Sequence, residues 1–144
     1  FSAFPGPAEA DLVERLRADG DVAFGFVARD GQSVIGYALY SPMTAPFRAL
    51  GLGPVAVDES WRRRGVAARL IAAGLDRARS DGWNAVFVLG DPAYYGRFGF
   101  SAEASAGFQC VYAGPHLMAL ALPESGLPVL KGRIAYAPAF TALG

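Results

Sequence analysis

The pattern of apolar and polar positions divides the chain into short segments of helical or strand periodicity. The first segment opens with Pro7 and two carboxylates, carries apolar residues at helical spacing and ends at Gly20, so we predict a helix there. Residues 22–29 and 34–40 are β-like and rich in Val, Phe and Tyr. The turn dipeptide Asp30-Gly31 between them predicts a hairpin.

The middle of the chain predicts a strand, a helix and a second strand. After a proline-containing loop to about Arg48, residues 50–57 are apolar, and Gly53-Pro54 within them predicts a bulge or a point where strand pairing stops. Residues 63–80 carry the strongest amphipathic pattern of the chain, and residues 85–89 are apolar throughout, which is typical of a strand buried on both faces. This order predicts a crossover between parallel neighbours.

The last third predicts a short aromatic helix over residues 93–98 and a hairpin of strands near 108–112 and 117–122, followed by a tail punctuated by prolines. The order of elements predicts a mixed α/β (α+β) fold. A length of 144 residues is typical of one domain, so we expect residues 1–144 to form a single unit.

Composition and charge narrow the functional classes. Hydrophobic residues make up 53% of the chain and charged residues 18%, enough to fill a core. Thirteen basic residues balance thirteen acidic ones, so we expect no extended nucleic-acid interface. One cysteine, Cys110, can form neither an internal disulfide nor a zinc site, and we expect no metal. The sequence contains no apolar run long enough to cross a bilayer, so we expect a cytoplasmic protein without a membrane partner.

The candidate chemistry lies where the strand over residues 50–57 gives way to the long helix. The first amides of a helix lack intrahelical partners and carry the positive end of the dipole. A glycine there lets a ligand approach the backbone, and neighbouring arginines add permanent charge, which favours a phosphate or pyrophosphate site. The alternative is a solvated helix start with three exposed arginines. The predicted anion site comprises Arg62, Arg63, Arg64, Gly65, Val66, Ala67 and Ala68.

Two motifs carry a resemblance to a known family. Arg62-x-x-Gly65-x-Ala67, after a strand ending Val55-Ala56-Val57, resembles the Q/R-x-x-G-x-G/A signature of the GCN5-related N-acetyltransferase (GNAT) family. About thirty residues later, the segment Tyr94-Tyr95-Gly96-Arg97-Phe98-Gly99-Phe100 is similar to that family's Y-x-x-x-G-F segment. The two motifs stand in the family's order, and the chain resembles a bacterial-type member.

The resemblance implies a fold and a cosubstrate. It implies a central, mostly antiparallel twisted sheet with one parallel, splayed strand pair and a crossover helix; the family's first strand is expected to be missing from this sequence. Acetyl-CoA would insert between the splayed strands, with its pantetheine arm on the main chain of Val55, Ala56 and Val57 and its pyrophosphate on the amides of Arg63 to Ala68. No metal is implied.

The resemblance also implies an activity: transfer of an acetyl group from acetyl-CoA to a primary amine by direct attack. Tyr95 matches the position whose hydroxyl protonates the departing thiolate, although it could instead belong to an aromatic plug under the sheet. The alternatives are a non-catalytic acyl-CoA-binding module of the same fold and an interaction domain without a CoA site. The acceptor would be a small-molecule or peptide amine, and a homodimer is an option.

The general base has no clear candidate in the sequence. Residues 50–53 carry no carboxylate, and Asp91 could cap the short helix or help to deprotonate the amine, of which we favour the cap. His116 is expected in a turn, Glu103 in solvent, and Cys110 lacks an activating neighbour. The early helix, the 41–50 loop and the 108–118 hairpin are expected to line an apolar acceptor pocket, which favours a small or partly hydrophobic amine.

Overall fold

The fold is a five-stranded sheet with helices on both faces. A computed structural model describes residues 7–143. Short 3₁₀ turns at Glu59–Trp61, Gly96–Phe98 and Pro138–Leu143 complete the regular structure. The helices and strands are α1 (Pro7–Ala18), β1 (Phe24–Asp30), β2 (Ser33–Met43), β3 (Ala49–Val57), α2 (Val66–Ser80), β4 (Ala85–Leu89), α3 (Pro92–Tyr95), α4 (Ala102–Ser105), β5 (Phe108–Gln109), β6 (Leu117–Ala121) and β7 (Gly132–Arg133).

The sheet confirms the predicted fold class. Its strand order is β1-β2-β3-β4-β6, and each neighbouring pair is antiparallel except β3–β4, which is parallel. Helix α2 connects these two parallel strands, as the strand–helix–strand pattern predicts. Strands β5 and β7 form a separate two-stranded parallel sheet.

Strand β3 changes its pairing in the middle. Its first half, Ala49–Leu52, pairs with β4 up to the contact of Leu52 with Val88. Against β2 the register shifts by one residue, because Tyr40 lies opposite Leu52 whereas Ala38 lies opposite Val55. The extra residue falls at Gly53-Pro54, so a β-bulge stands there and the second half of β3 leaves β4 while it keeps β2. This confirms the predicted break at Gly53-Pro54.

The two faces of the sheet bury different clusters because side chains alternate along each strand. Tyr40 faces α2 and packs against Leu70, Ile71 and Leu75. Leu39, which precedes Tyr40 in β2, faces the other side of the sheet. It packs there in a cluster with Leu12, Leu16, Tyr37, Ala137 and Ala139. A third cluster around Phe87, Phe108 and Ile134 joins the small sheet to the large one.

Two predicted boundaries are wrong by a few residues. Pro42 was expected in a loop but lies within β2, opposite Leu50. Pairing between β1 and β2 ends at Tyr40, so β2 has no β1 neighbour at Pro42. A residue without an N–H is therefore tolerated there. Helix α2 begins at Val66 instead of residue 63, because Arg63 has a left-handed backbone with a φ of 66°.

The predicted hairpin of residues 108–112 and 117–122 is wrong. Strand β5 covers only Phe108 and Gln109 and pairs with β7 in the tail, and β6 pairs with β4. The two segments do not pair because each has another partner, β7 for β5 and β4 for β6. The proline-punctuated tail supplies β7 to the small sheet.

None of the helices within residues 7–143 has the length and hydropathy required to cross a membrane.

Gly74 in the middle of α2 provides a test of how closely helix and sheet pack. The buried Tyr40 hydroxyl donates to Ile71 O over 2.8 Å, and this brings its ring directly over Gly74. A Cβ at Gly74 would overlap Cε1 and Cζ of that ring. Alanine has the higher helix propensity by about 1 kcal/mol, but overpacking a rigid core costs about 1–3 kcal/mol or more.

We therefore expect Gly74→Ala to lower the free energy of unfolding by about 2 kcal/mol, measured by urea denaturation. The matched control is Gly96→Ala, since a Cβ there meets nothing within 4 Å and the backbone is already helical. It should be neutral or stabilise slightly. Equal stability of the two variants would contradict the close approach.

Candidate active site

Two cavities flank the point where β3 leaves β4, and they share Val55. The first, here called the arginine cavity, has a volume of about 720 Å³ and lies at the start of α2. The second, the tyrosine cavity, has a volume of about 480 Å³ and lies at the bulge of β3. The break in strand pairing thus separates a charged compartment from an apolar one.

The arginine cavity brings together most of the residues predicted to bind the cofactor. Arg64 is the exception, since it lies outside the lining with its guanidinium 5.0 Å from the centre of the Trp61 ring. Sequence reasoning missed three lining residues, Trp61, Tyr94 and Arg97. The predicted residues that line it are Val55, Ala56, Val57, Arg62, Arg63, Gly65, Val66, Ala67 and Ala68.

The start of α2 is built to leave its amides open. Gly65 caps the helix with a left-handed backbone, φ 77°, and no side chain caps the first turn of the described helix. Arg63 is the one described non-glycine residue with a positive φ, and such conformations persist where the surroundings enforce them, often at functional sites. The first turn holds no acidic side chain, so its positive dipole end faces the cavity together with nearby guanidinium groups.

Two arginines are held in place around this cavity. Arg62 Nε donates to Val57 O over 3.3 Å, which ties the loop after β3 to the end of that strand. Arg97 Nε donates to Tyr94 O over 3.0 Å, and its guanidinium lies 4.4 Å from the centre of the Tyr94 ring. These contacts reduce the freedom that each side chain would lose on binding an anion.

The tyrosine cavity is walled by five different parts of the chain. Helix α1, the β3 bulge, the end of β4 with α3, the loop after β5, and the tail all contribute residues. Leu12 of the early helix and Tyr112 of the 108–118 segment line it, but no described residue of 41–50 does. The lining residues are Leu12, Leu52, Gly53, Pro54, Val55, Leu89, Tyr95, Tyr112, Tyr136 and Phe140.

The tail contributes a wall that sequence reasoning missed. The Tyr136 ring lies with its centre 5.7 Å from that of Tyr112 and 5.2 Å from that of Phe140. Tyr112 Oη donates to Phe140 O over 3.3 Å, which holds the loop after β5 against the tail. The one available signal was the pair of aromatics at positions 136 and 140, four residues apart in a segment otherwise read as irregular.

Tyr95 lies at the boundary of the tyrosine cavity. Its ring packs edge-on against Tyr94 and Phe100, with centres 5.1 and 6.0 Å apart, and closely over Gly90. Burial raises the pKa of the Tyr95 phenol above its ordinary value, and the neighbouring Tyr94 adds to the shift. The group is therefore a neutral O–H at physiological pH, as a proton donor must be. Phe100 is fully buried and belongs to the core.

The acid–base candidates of the sequence lie elsewhere. Asp91 Oδ1 accepts from Ala93 N over 3.0 Å, which confirms it as the cap of α3. His116 and Glu103 are exposed, and Cys110 is half-buried beside the small sheet. None of these four lines either cavity. Within residues 7–143 no three His, Cys, Asp or Glu side chains come together as a metal-ligand group.

Comparison with known proteins gives the following. Residues 2–100 match the family model described as the acetyltransferase (GNAT) family. The chain is 43% identical over 116 residues to the uncharacterized N-acetyltransferase YhbS of Escherichia coli K12, covering 78% of this chain and 70% of that protein. It is 34% identical over 122 residues to the uncharacterized N-acetyltransferase YjhQ of the same strain, covering 78% and 67%.

Two solved structures are similar over almost the whole chain. The crystal structure of the GNAT family N-acetyltransferase YhbS from Escherichia coli in complex with CoA superposes with a TM-score of 0.89 at 36% identity, over 99% of this chain and 82% of that one. A GNAT family acetyltransferase from Brucella melitensis in complex with acetyl-CoA gives 0.77 at 30% identity, over 96% and 82%.

Substitutions at Asp91 test its structural role as the cap of α3. We expect Asp91→Ala to lower the free energy of unfolding by about 1 kcal/mol, because Ala93 N loses its acceptor. Asp91→Asn keeps an acceptor at the same place and should unfold at the wild-type temperature. Thermal unfolding followed by circular dichroism measures both, and a destabilised Asn variant would show that the negative charge itself matters.

Proposed function

The chain belongs to the acetyltransferase (GNAT) family, and on that premise we propose that it is an N-acetyltransferase that moves an acetyl group from acetyl-CoA to a primary amine of a small molecule or peptide. The observation that carries this proposal is the cationic, open-amide start of α2 beside a strand whose pairing stops at the tyrosine cavity. A helix start of this kind can bind a diphosphate, and an unpaired strand edge can bind an extended amide chain.

The first step of the argument concerns binding. The second half of β3 pairs with β2 on one edge and has no partner in β4 on the other. Main-chain groups of Val55, Ala56 and Val57 are therefore available to an extended ligand. We assign the pyrophosphate to the amides of the first turn of α2, where Gly65 leaves room, with charge supplied by the arginines. Arg97, at an unspecified position of the second motif, joins this set because it lines the same cavity.

The second step concerns chemistry. Acetyl-CoA supplies the activated thioester when bound. The amine nitrogen would attack the carbonyl carbon directly, so that a C–N bond forms, the C–S bond breaks and the amine loses a proton to solvent. Tyr95 would donate its phenolic proton to the departing sulfur. Because its pKa is raised, this transfer needs a short and aligned O–H···S contact.

The cofactor assignment is tested first by thermal unfolding. Acetyl-CoA at about a hundred times its dissociation constant should stabilise the protein by about 2.7 kcal/mol and raise the melting temperature by several degrees. Gly65→Glu should abolish this shift, since a carboxylate would occupy the anion site. Gly20→Glu is the matched control, because Gly20 has a similar φ of 73°, follows α1, and a Cβ there meets nothing within 4 Å. A shift retained in Gly65→Glu would place the phosphates elsewhere.

Tyr95 is tested by turnover and pH. We expect Tyr95→Phe to lower kcat at least tenfold while the dissociation constant of CoA, measured by calorimetry, stays within about twofold. In the wild type, kcat/KM should rise with pH as the amine deprotonates. No alkaline decline should follow below about pH 10, since the raised pKa keeps Tyr95 protonated there. Unchanged turnover in the variant would remove Tyr95 from the mechanism.

The alternative is a non-catalytic acyl-CoA-binding module of the same fold. It is favoured by one observation: none of the described residues that line the tyrosine cavity carries a carboxylate to act as base. Release of free thiol in the presence of amines separates the two functions, because a binding module raises the melting temperature with acetyl-CoA but releases none.

A further inference from the structure

The tyrosine cavity has an unusual lining for a compartment next to a polar reaction. The described side chains around it are aliphatic or aromatic, and their only polar groups are the hydroxyls of Tyr95, Tyr112 and Tyr136. The lining includes no acidic or basic residue, whereas Arg62, Arg63 and Arg97 line the arginine cavity.

Burial disfavours ionisation of two of the three phenols, Tyr95 and Tyr136. Burial raises the pKa of Tyr95 and of Tyr136, with smaller contributions from Tyr94 on the first and from Cys110, Tyr112 and Tyr95 on the second. The Tyr112 hydroxyl donates a hydrogen bond to Phe140 O. The Tyr136 hydroxyl is buried and has no hydrogen-bond partner among the described residues, which makes ionisation there still less favourable.

A neutral, apolar cavity selects its ligand by exclusion. A carboxylate or a second ammonium group entering it would lose hydration and find no opposite charge among the described residues. An aromatic ring would instead meet the edges and faces of Tyr112, Tyr136 and Phe140, in the geometry that aromatic pairs prefer. A volume of about 480 Å³ is sufficient for a small aromatic ligand.

We propose that the tyrosine cavity takes an apolar aromatic primary amine, with a single amino group and no carboxylate, as the acetyl acceptor. The role of this amine as acetyl acceptor rests on the proposed function, whereas its binding to the cavity depends only on the residues that line the cavity. The amino group would enter as the free base, at the side of the cavity formed by the β3 bulge and Tyr95.

The test compares three amines that differ in charge. The probes are 2-phenylethylamine, phenylalanine, which adds a carboxylate to the same ring and amine, and 1,5-diaminopentane, which replaces the ring by a second ammonium group. With acetyl-CoA, we expect kcat/KM from thiol release to be at least a hundredfold higher for 2-phenylethylamine than for either of the others. Comparable or higher values for phenylalanine or the diamine would overturn the proposal.

A binding measurement separates this proposal from the proposed function. Each amine is titrated calorimetrically into the protein, both free and saturated with CoA. Tighter binding of 2-phenylethylamine without any thiol release would support the cavity assignment while overturning acetyl transfer. Binding of CoA with no binding of 2-phenylethylamine would overturn the cavity assignment alone.

A charge placed in the cavity wall provides a second test that does not depend on repacking the core. Leu89 lines the cavity at the end of β4 and is 45% exposed, so Leu89→Glu should fold. We expect it to lower the preference for 2-phenylethylamine over 1,5-diaminopentane at least tenfold. The control is Val27→Glu on β1, 52% exposed and outside both cavities, which should leave the preference unchanged. An unchanged preference in Leu89→Glu would contradict the assignment.

Discussion

The loss of pairing between β3 and β4 beyond Leu52 is the constraint on which the rest of the site depends. Up to that point the two strands are parallel neighbours, and the hydrogen bonds between them are satisfied in the usual way. The bulge at Gly53-Pro54 keeps β3 attached to β2 while turning its other edge away from β4. Both cavities border the second half of β3, so a continuous β3–β4 ladder would close the space between them.

The two cavities differ in their electrostatic surroundings, and they lie next to each other along the second half of β3. The start of α2 concentrates guanidinium groups and free amides, which is unfavourable unless an anion is bound. The tyrosine cavity has no acidic or basic residue in its described lining, and it is held by ring contacts and by a hydrogen bond from Tyr112 to the tail. Val55 belongs to both linings. A phosphate-bearing ligand and an apolar one could therefore meet there without sharing an environment.

The parts of the fold that the sequence predicts are those governed by local patterns. Periodicity predicted α1, the β1–β2 hairpin and the β3–α2–β4 unit, and the glycine–proline pair predicted the bulge. Pro42 was misjudged because its tolerance depends on where β1 stops, which is a property of a neighbouring strand. The start of α2 was misjudged because Arg63 adopts a left-handed backbone that its residue type does not favour.

The candidate site divides in the same way. Most of the arginine cavity comes from the end of β3 and the motif that follows it, so these members could be identified in advance, whereas Tyr94 and Arg97 join it only through folding. The tyrosine cavity is assembled from α1, β3, β4 with α3, the loop after β5 and the tail, and no local pattern marks Tyr136 or Phe140 as residues of the same cavity as Tyr95. A family signature therefore identifies the side on which relatives share a ligand. The tyrosine cavity depends on tertiary contacts, so its wall of aromatic rings is recognised only in the folded chain.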